Sequence, residues 1–249
     1  MIGAENPDRL AFEGVANMAP ALQVAMDFGG GEVRALSRID LLDRYRRYSA
    51  IRRDVQTAAV ASVATSRLLG HARRIGLSDG KVLFTDDDVE LTFVFDLAIY
   101  TSEPGRTRAI DRCVRKRARV SDPDEALVLG GLQASRFSIL GMVGRCQPAG
   151  LLLKDLMRGD EVVLLDEGLE QTAKPGGVYA MRVAPIEDFV ISCGVVVPLG
   201  AQAFKDIINF LTDGEPDADL AALADDRRFA TSLYKMAIEF GLMDRVDYR

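Results

Sequence analysis

Four arginines in one segment form the densest set of side chains that could do chemistry. Arg108, Arg112, Arg115 and Arg119 recur at intervals of four, three and four residues, so a helix would place them in one row. Such a row can bind the phosphates of a nucleic acid or the carboxylates of an acidic protein surface. It is more often a solvated helix face, or a face paired with acidic residues elsewhere in the chain, and the sequence leaves all three interpretations open.

Charge and composition rank these interpretations. The chain has 31 Lys and Arg residues against 37 Asp and Glu, a formal net charge of -6, which argues against bulk attraction to nucleic acid or to an anionic membrane. No aromatic residue is interleaved with the arginines, as binding of stacked single-stranded bases would favour. We therefore expect a protein partner first and nucleic acid as the alternative, and self-association of the chain stays open.

A run of carboxylates offers a different chemistry. Asp86, Asp87, Asp88 and Glu90 are followed by Asp96, and oxygen ligands at this density can hold Mg²⁺ for phosphoryl chemistry. Asp86, Asp88 and Asp96 are the candidate ligands under that hypothesis. Aspartates are also favoured at a helix N-terminus, which is the simpler explanation of the first three. Asp96 stands among apolar residues, and a buried carboxylate there would require a partner such as an arginine.

The histidine and the cysteines exclude several kinds of site. His71 is the only histidine, so a metal site built from several histidines is excluded. We interpret it as a helix-end residue whose charge suits the C-terminal dipole, with a general base as the alternative. Cys113, Cys146 and Cys193 lack the paired spacing of a zinc site. Their odd number indicates a reducing compartment rather than a disulfide framework.

The chain contains no motif for a cofactor or an activated nucleophile. It lacks G-x-G-x-x-G and G-x-S-x-G, and the glycine run at 29–31 is not followed by the Lys-Ser/Thr of a phosphate loop. We therefore expect no cofactor. The leading hypothesis is a non-enzymatic interaction or regulatory protein that binds another protein through a barrel and the basic helix. Nucleic-acid binding by the arginine row and a metal-dependent enzyme are the alternatives.

The barrel of that hypothesis is predicted over residues 136–200. Short β-branched and apolar runs alternate there with Gly and Pro, for example in Val178–Val183 and Phe189–Val197, a spacing typical of consecutive antiparallel strands. Both faces of the strands are apolar, which predicts a sheet covered by helices or closed on itself. We expect a small antiparallel β-barrel or a strongly bent sheet.

The remaining segments predict helices, so the expected fold class is α+β. Apolar residues recur at helical spacing in a region from 37 to 135 and again in 201–249. Asp122-Pro123-Asp124-Glu125 is a strong helix start. Thr85 is the predicted N-cap of a further helix, although residues 89–100 could also form a strand. Residues 1–36 are expected to be a mobile N-terminal arm.

Several short motifs occur together along the chain. They are Ala72-Arg73-Arg74-Ile75-Gly76-Leu77, the acidic step at 84–90, the segment 96–100, Asp124-Glu125, Ala134-Ser135-Arg136-Phe137-Ser138, Lys154-Asp155-Leu156 and Asp166-Glu167-Gly168. Over about residues 40–200 the set resembles a group of uncharacterised bacterial proteins. That group carries no assigned activity, so the resemblance implies no catalytic residues. It implies a cytoplasmic bacterial origin and one continuous unit.

Two further features bear on location. The N-terminus lacks the basic region and the apolar region of a signal peptide. No apolar run approaches the roughly 18 residues that a membrane helix needs. We expect a cytoplasmic protein with no membrane partner.

Overall fold

The computed structural model describes residues 36–85, 87–117, 122–212, 214–215 and 218–243. Within these ranges the chain is an α+β protein, which confirms the predicted fold class. The helices before the sheet are α1 (Arg38–Ala61), α2 (Thr65–Arg74), α3 (Asp88–Tyr100), α4 (Ala109–Lys116) and α5 (Pro123–Gln133). The strands are β1 (Arg136–Arg145), β2 (Leu151–Asp155), β3 (Glu161–Leu165), β4 (Val178–Ile186) and β5 (Phe189–Leu199), with α6 (Glu167–Thr172) between β3 and β4. The helices after the sheet are α7 (Ala201–Leu211), α8 (Leu220–Asp225) and α9 (Phe229–Glu239). Of the predicted mobile arm, residues 1–35 lie outside the described residues.

Local hydrogen bonds fix where two of the helices begin. The Ser37 hydroxyl accepts the backbone N–H of Asp40 at 3.2 Å, and the Asp40 carboxylate accepts the N–H of Ser37 at 3.1 Å. This reciprocal pair satisfies two N–H groups that the first turn of α1 leaves unpaired. At α5 the Asp122 carboxylate accepts the N–H of Asp124 at 3.0 Å, with Pro123 in the first turn. The predicted start of α5 is therefore confirmed.

Residues 88–100 form a helix, which settles the choice between helix and strand. Its N-cap is Asp87, whose carboxylate accepts the N–H of Val89 at 2.7 Å, so the predicted cap at Thr85 was wrong. The Thr85 hydroxyl instead accepts the N–H of Asp87 at 3.0 Å. Thr85 stabilises the turn before the helix, while the carboxylate two residues later satisfies an N–H of the first helical turn.

The five strands pair in the order β1-β2-β3-β5-β4, and β4 returns to β1, so the pairing closes on itself. Four of these pairs are antiparallel, whereas β3 and β5 run parallel, with Leu164 opposite Val190 and Leu165 opposite Ile191. The predicted antiparallel sheet is thus corrected to a mixed one. The physical reason is the connection, because α6 and β4 carry the chain back between β3 and β5, as a parallel pair requires.

Apolar side chains occupy both sides of this sheet. Leu140, Leu153 and Met181 belong to a cluster made almost wholly of strand residues, which fills the space between the strands. A second cluster joins Phe137 of β1 to residues of α3 and α9, and a third joins Ile191 of β5 to residues of α1, α4 and α5. The helices therefore cover the outer face of β1, β4 and β5, which accounts for the two apolar faces seen in the sequence. No helix in the described part of the chain has the length and apolar character needed to cross a membrane.

Candidate functional site

Only part of the predicted row of arginines lies on one helix. α4 ends at Lys116, Arg108 is the residue before its first turn, and Arg119 lies outside the described residues. The guanidinium of Arg108 pairs with the carboxylate of Asp111, with 2.7 Å between Nη2 and Oδ1, and also donates to the carbonyl of Gln133. The guanidinium of Arg108 therefore makes its contacts within the fold.

The two arginines inside α4 differ in their surroundings. Arg112 is half-buried and donates to the carbonyl of Thr107 at 2.6 Å. Arg115 is exposed, as is its neighbour Lys116. The C-terminal end of α4 therefore presents two exposed cations, and the expected row of four does not face one partner surface within the described residues.

The candidate metal ligands do not converge. Asp86 lies outside the described residues, and Asp88 is exposed in the first turn of α3. Asp96 is eight residues further along the same helix, a separation of about 12 Å along its axis. Its carboxylate is buried and bound by Arg182 of β4. Among the described residues no three carboxylate, thiol or imidazole side chains are grouped so that they could hold a metal ion.

Arg182 is the arginine that the buried carboxylate of Asp96 requires. Its Nε and Nη2 atoms donate to the two carboxylate oxygens at 3.0 and 3.1 Å, and its Cζ lies 4.4 Å from the centre of the Tyr100 ring. Burial alone would lower the pKa of Arg182, but the charge and hydrogen bonds of Asp96 outweigh it and raise that pKa. Burial also raises the pKa of the neighbouring Cys193 thiol to about 11. The burial and the two hydrogen bonds of Asp96 and Arg182 are typical of a structural ion pair.

A polar cleft of about 600 Å³ lies between α2, the segment that joins α3 to α4, and α9. Residues from three distant parts of the sequence meet there. The side chains and backbone that line it belong to Ser66, Arg67, Gly70, His71, Arg74, Ala98, Thr101, Ser102, Glu103, Thr107, Ala109, Arg227, Arg228, Thr231 and Ser232.

Positive charge exceeds negative charge in this polar cleft. Glu103 lies between two of the four arginines, 2.6 Å from Arg74 and 3.0 Å from Arg227, and these hydrogen bonds lower the pKa of its carboxyl group. Arg228 pairs at 2.9 Å with Asp226, which adjoins the cleft. Arg67 makes no ion pair with any described residue. Four guanidinium groups therefore face two carboxylates, which leaves two positive charges in excess.

Hydroxyl groups supply further hydrogen-bonding capacity. Ser66 of α2, Thr107 of the segment before α4, and Thr231 and Ser232 of α9 all line the polar cleft. Their hydroxyls make no hydrogen bond to another residue in the described part of the chain. A hydroxyl can donate one hydrogen bond and accept two, so these four groups can bind the oxygen atoms of a ligand.

His71 also lines the polar cleft, and its environment differs from the predicted one. Burial, with the nearby charges of Arg74 and Arg67, lowers the pKa of its imidazole from 6.5 to about 4. His71 does lie in the last turn of α2, as predicted, but burial there favours the neutral ring at pH 7 over the cation that the helix dipole would stabilise. Its Nδ1 atom is buried without a hydrogen-bond partner among the described residues. A neutral imidazole offers one N–H donor and one acceptor nitrogen.

A smaller cavity of about 250 Å³ adjoins the polar cleft and shares three lining residues with it. Arg136 and Arg158 line this cavity, at 3.2 and 3.6 Å from the carboxylate of Asp155. Asp155 is fully buried and accepts the hydroxyl of Ser138 at 2.5 Å. Because Arg136 and Arg158 pair with Asp155, the positive charge that has no carboxylate partner lies in the polar cleft and not in this cavity.

Sequence reasoning missed the polar cleft. Its cations come from 67–74 and 227–228, and its hydroxyls from positions as far apart as 66 and 232. No motif spans such distances. The one available signal was the single histidine close to Arg73 and Arg74, which by itself is typical of a helix end.

The fold and the cleft together define a class of protein. It is an α+β protein in which helices cover a closed five-stranded sheet, with strand order 1-2-3-5-4 and a helix between the third and fourth strands. Fold alone does not assign a ligand, because one fold serves many functions. Residues 39–210 match the family of unknown function DUF7986, and the chain belongs to that family. No curated protein and no solved structure matches the chain.

Proposed function

We propose that the protein is a non-enzymatic regulatory protein whose polar cleft binds a phosphate-bearing ligand. The observation that carries this proposal is the excess of guanidinium groups over carboxylates in a cleft that is also lined by four hydroxyls without partners. Guanidinium groups bind phosphate oxygens in pairs, and hydroxyls complete the shell. The overall charge of the chain is negative, so the positive charge is local to this site.

The size of the cleft favours a small ligand. Its volume of about 600 Å³ lies in the middle of the range for small-molecule sites, roughly 300–1,000 Å³. Neutral His71 fits the same ligand, because its ring can donate an N–H to a phosphate oxygen or accept one from a hydroxyl of the ligand. Three unpaired thiols suit a reducing cytoplasm, which is where we place the protein.

The first experiment titrates the purified protein with inorganic phosphate, pyrophosphate and adenosine triphosphate by calorimetry at low ionic strength. We expect affinity to increase with the number of phosphate groups. Arg67→Gln should weaken binding about tenfold or more, since a hydrogen bond to a charged group contributes about 1.5–3 kcal/mol. Arg67 makes no ion pair, so this change leaves no carboxylate of the cleft unpaired.

Arg115→Gln is the matched control, because it removes an exposed arginine that does not line the cleft. It should leave phosphate binding unchanged. Equal weakening by the two variants, or no binding of any of the three probes, would contradict the proposal. A third titration uses a labelled oligonucleotide across a salt series. Steep salt dependence that is lost in Arg112→Gln and Arg115→Gln would instead support the nucleic-acid alternative.

A protein partner is the second candidate, and one exposed turn favours it. Val82, Leu83 and Phe84 are 61%, 39% and 65% exposed, although all three are apolar. The turn before them is ordered, because the carboxylate of Asp79 accepts the N–H groups of Lys81 and Val82 at 2.7 and 2.9 Å. Consecutive exposed apolar residues on an ordered turn are typical of a protein-binding surface.

This candidate is tested by sedimentation velocity over a wide concentration range, followed by cross-linking in cell extract. A bacterial partner protein should be cross-linked to the wild type and lost in Phe84→Ser and in Arg115→Glu, which would place the contact on the turn and the basic helix. A wild-type dimer lost only in Phe84→Ser would identify a second copy of the chain as the partner. Identical behaviour of all three proteins would exclude both surfaces.

A further inference from the structure

A second cavity lies on another part of the molecule. It has a volume of about 610 Å³, runs between α1 and α3 over β5, and shares no lining residue with the polar cleft. We call it the apolar groove. Val60, Phe95, Ile99 and Val195 supply much of its wall. Phe95 is 37% exposed, so an apolar ring already lies at the solvent side of the groove.

One buried cation interrupts this apolar wall. Arg52 lines the groove and only 8% of its surface is exposed. Its Nη1 atom lies 3.4 Å from Oε1 of Gln56, and its Nε atom has no hydrogen-bond partner. In the described part of the chain no carboxylate lies within ion-pair distance of Arg52.

The neighbouring backbone leaves room for this guanidinium. Gly194 of β5 has a φ of +110°, and a Cβ atom there would lie 3.0 Å from Nη1 of Arg52. Glycine alone adopts such a backbone freely and allows this close approach. Gln56 is held in place by its own Nε2 atom, which donates to the carbonyl of Cys193 at 2.8 Å and to the Tyr100 hydroxyl at 3.1 Å. The position of Arg52 is therefore set by the fold.

The other charged group of the inner wall does not neutralise Arg52. Asp96 also lines the groove, but both of its oxygens are bound by Arg182. A buried cation is destabilising unless an anion pairs with it. Arg52 thus presents an unpaired positive charge at the base of a cavity whose other walls are mainly carbon.

We propose that the apolar groove binds a small carboxylate with an apolar body. The carboxylate pairs with the Nη end of the Arg52 guanidinium, and the apolar body lies against Phe95, Ile99 and Val195. A guanidinium edge matches the two oxygens of a carboxylate. The one buried cation of the groove balances a monoanion. This site is independent of the phosphate-bearing ligand proposed for the polar cleft.

The test titrates the full chain with butanoate, hexanoate and octanoate, and with octan-1-ol and octylamine as neutral and cationic counterparts. Each added methylene should tighten binding about fourfold, as burial of a CH₂ group predicts. Octan-1-ol and octylamine should bind at least about tenfold more weakly than octanoate, because neither offers an anion to Arg52.

Two arginines of the groove provide the matched variants. Arg52→Met replaces the buried cation by a neutral side chain of similar length, and should abolish the preference for octanoate over octan-1-ol while the melting temperature is unchanged or higher. Arg53→Met removes the exposed arginine beside it and should change octanoate affinity less than about twofold. Thr57→Trp fills the mouth of the groove, which Thr57 lines as an exposed residue, and should weaken all chain lengths.

Several results would overturn the proposal. They are no saturable binding of octanoate at millimolar concentration, equal affinity for octan-1-ol, or equal loss in Arg53→Met and Arg52→Met. Phosphate binding measured on the same Arg52→Met protein separates the two sites. Phosphate binding should be retained in this variant. Failure of octanoate binding would therefore leave the proposal for the polar cleft standing, and failure of phosphate binding would leave the proposal for the apolar groove standing.

Discussion

The carboxylate of Asp96 and the guanidinium of Arg182 are joined by two hydrogen bonds of 3.0 and 3.1 Å, although the residues lie 86 positions apart in sequence. Their side chains are only 3% and 6% exposed. Asp96 belongs to α3 and Arg182 to β4, so the pair connects a helix of the outer layer to a strand of the closed sheet. The Tyr100 ring lies against the guanidinium and excludes water from one of its faces.

Removal of one partner of this pair should be far more destabilising than removal of both. Asp96→Leu leaves a buried cation and should lower the free energy of unfolding by about 3–5 kcal/mol. Arg182→Met leaves a buried carboxylate and should have an effect of similar size. The double variant should regain most of that loss, because apolar side chains can fill the same space. Urea unfolding of the four proteins measures the coupling, and additive losses would contradict it.

The sequence predicted part of this arrangement. Asp96 stands among apolar residues, so a buried carboxylate with an arginine partner could be expected. The identity of that arginine could not be predicted, because Arg182 lies in an apolar strand and no local pattern indicates that α3 packs against β4. The Asp122-Pro123 helix start was predictable for the opposite reason, since its capping hydrogen bond joins residues only two positions apart.

The closure of the sheet likewise could not be predicted from the sequence. Three of the antiparallel pairs follow from short connections, but β1 pairs with the distant β4, and the parallel pair of β3 and β5 rests on Leu164 with Val190 and Leu165 with Ile191. Alternation of apolar residues does not specify strand order. The polar cleft could not be predicted either, because Arg74 and Arg227 meet at Glu103 only after α2 and α9 have packed.

The two adjacent glycines of α5 should respond oppositely to substitution. A Cβ atom on Gly131 would lie 2.4 Å from the carbonyl oxygen of Pro185 in β4, whereas one on Gly130 meets nothing within 4 Å. Gly131→Ala should therefore lower the free energy of unfolding by about 1–3 kcal/mol. Gly130→Ala should raise it by about 0.5–1 kcal/mol, because alanine loses less backbone entropy in a helix. The midpoints of denaturant unfolding of the two variants measure these changes in stability. Changes of the same sign would refute the prediction.

His71 should make the protein less stable as the pH falls. Its pKa is about 4 in the folded chain against 6.5 for an unperturbed imidazole. Between these values the unfolded chain binds a proton that the folded chain does not, so the free energy of unfolding decreases as the pH is lowered from about 6.5 to about 4. His71→Gln cannot titrate and should show a weaker decrease. Both proteins contain the same carboxylates, so the difference between their free energies of unfolding reports the contribution of His71. A difference that stays constant with pH would contradict the prediction.

The three cysteines should react with a thiol reagent in a defined order. Cys113 and Cys193 are buried, and the pKa of Cys193 is raised by burial to about 11, whereas Cys146 is half-buried. Thiolate is the reactive form and access is required as well, so Cys146 should be modified first in the folded protein, with the other two protected until unfolding. Mass spectrometry of peptides after maleimide treatment with and without denaturant measures this. Cys146→Ser should remove almost all labelling of the folded chain, and rapid native labelling of Cys193 would show that the interface between β5 and α1 opens in solution.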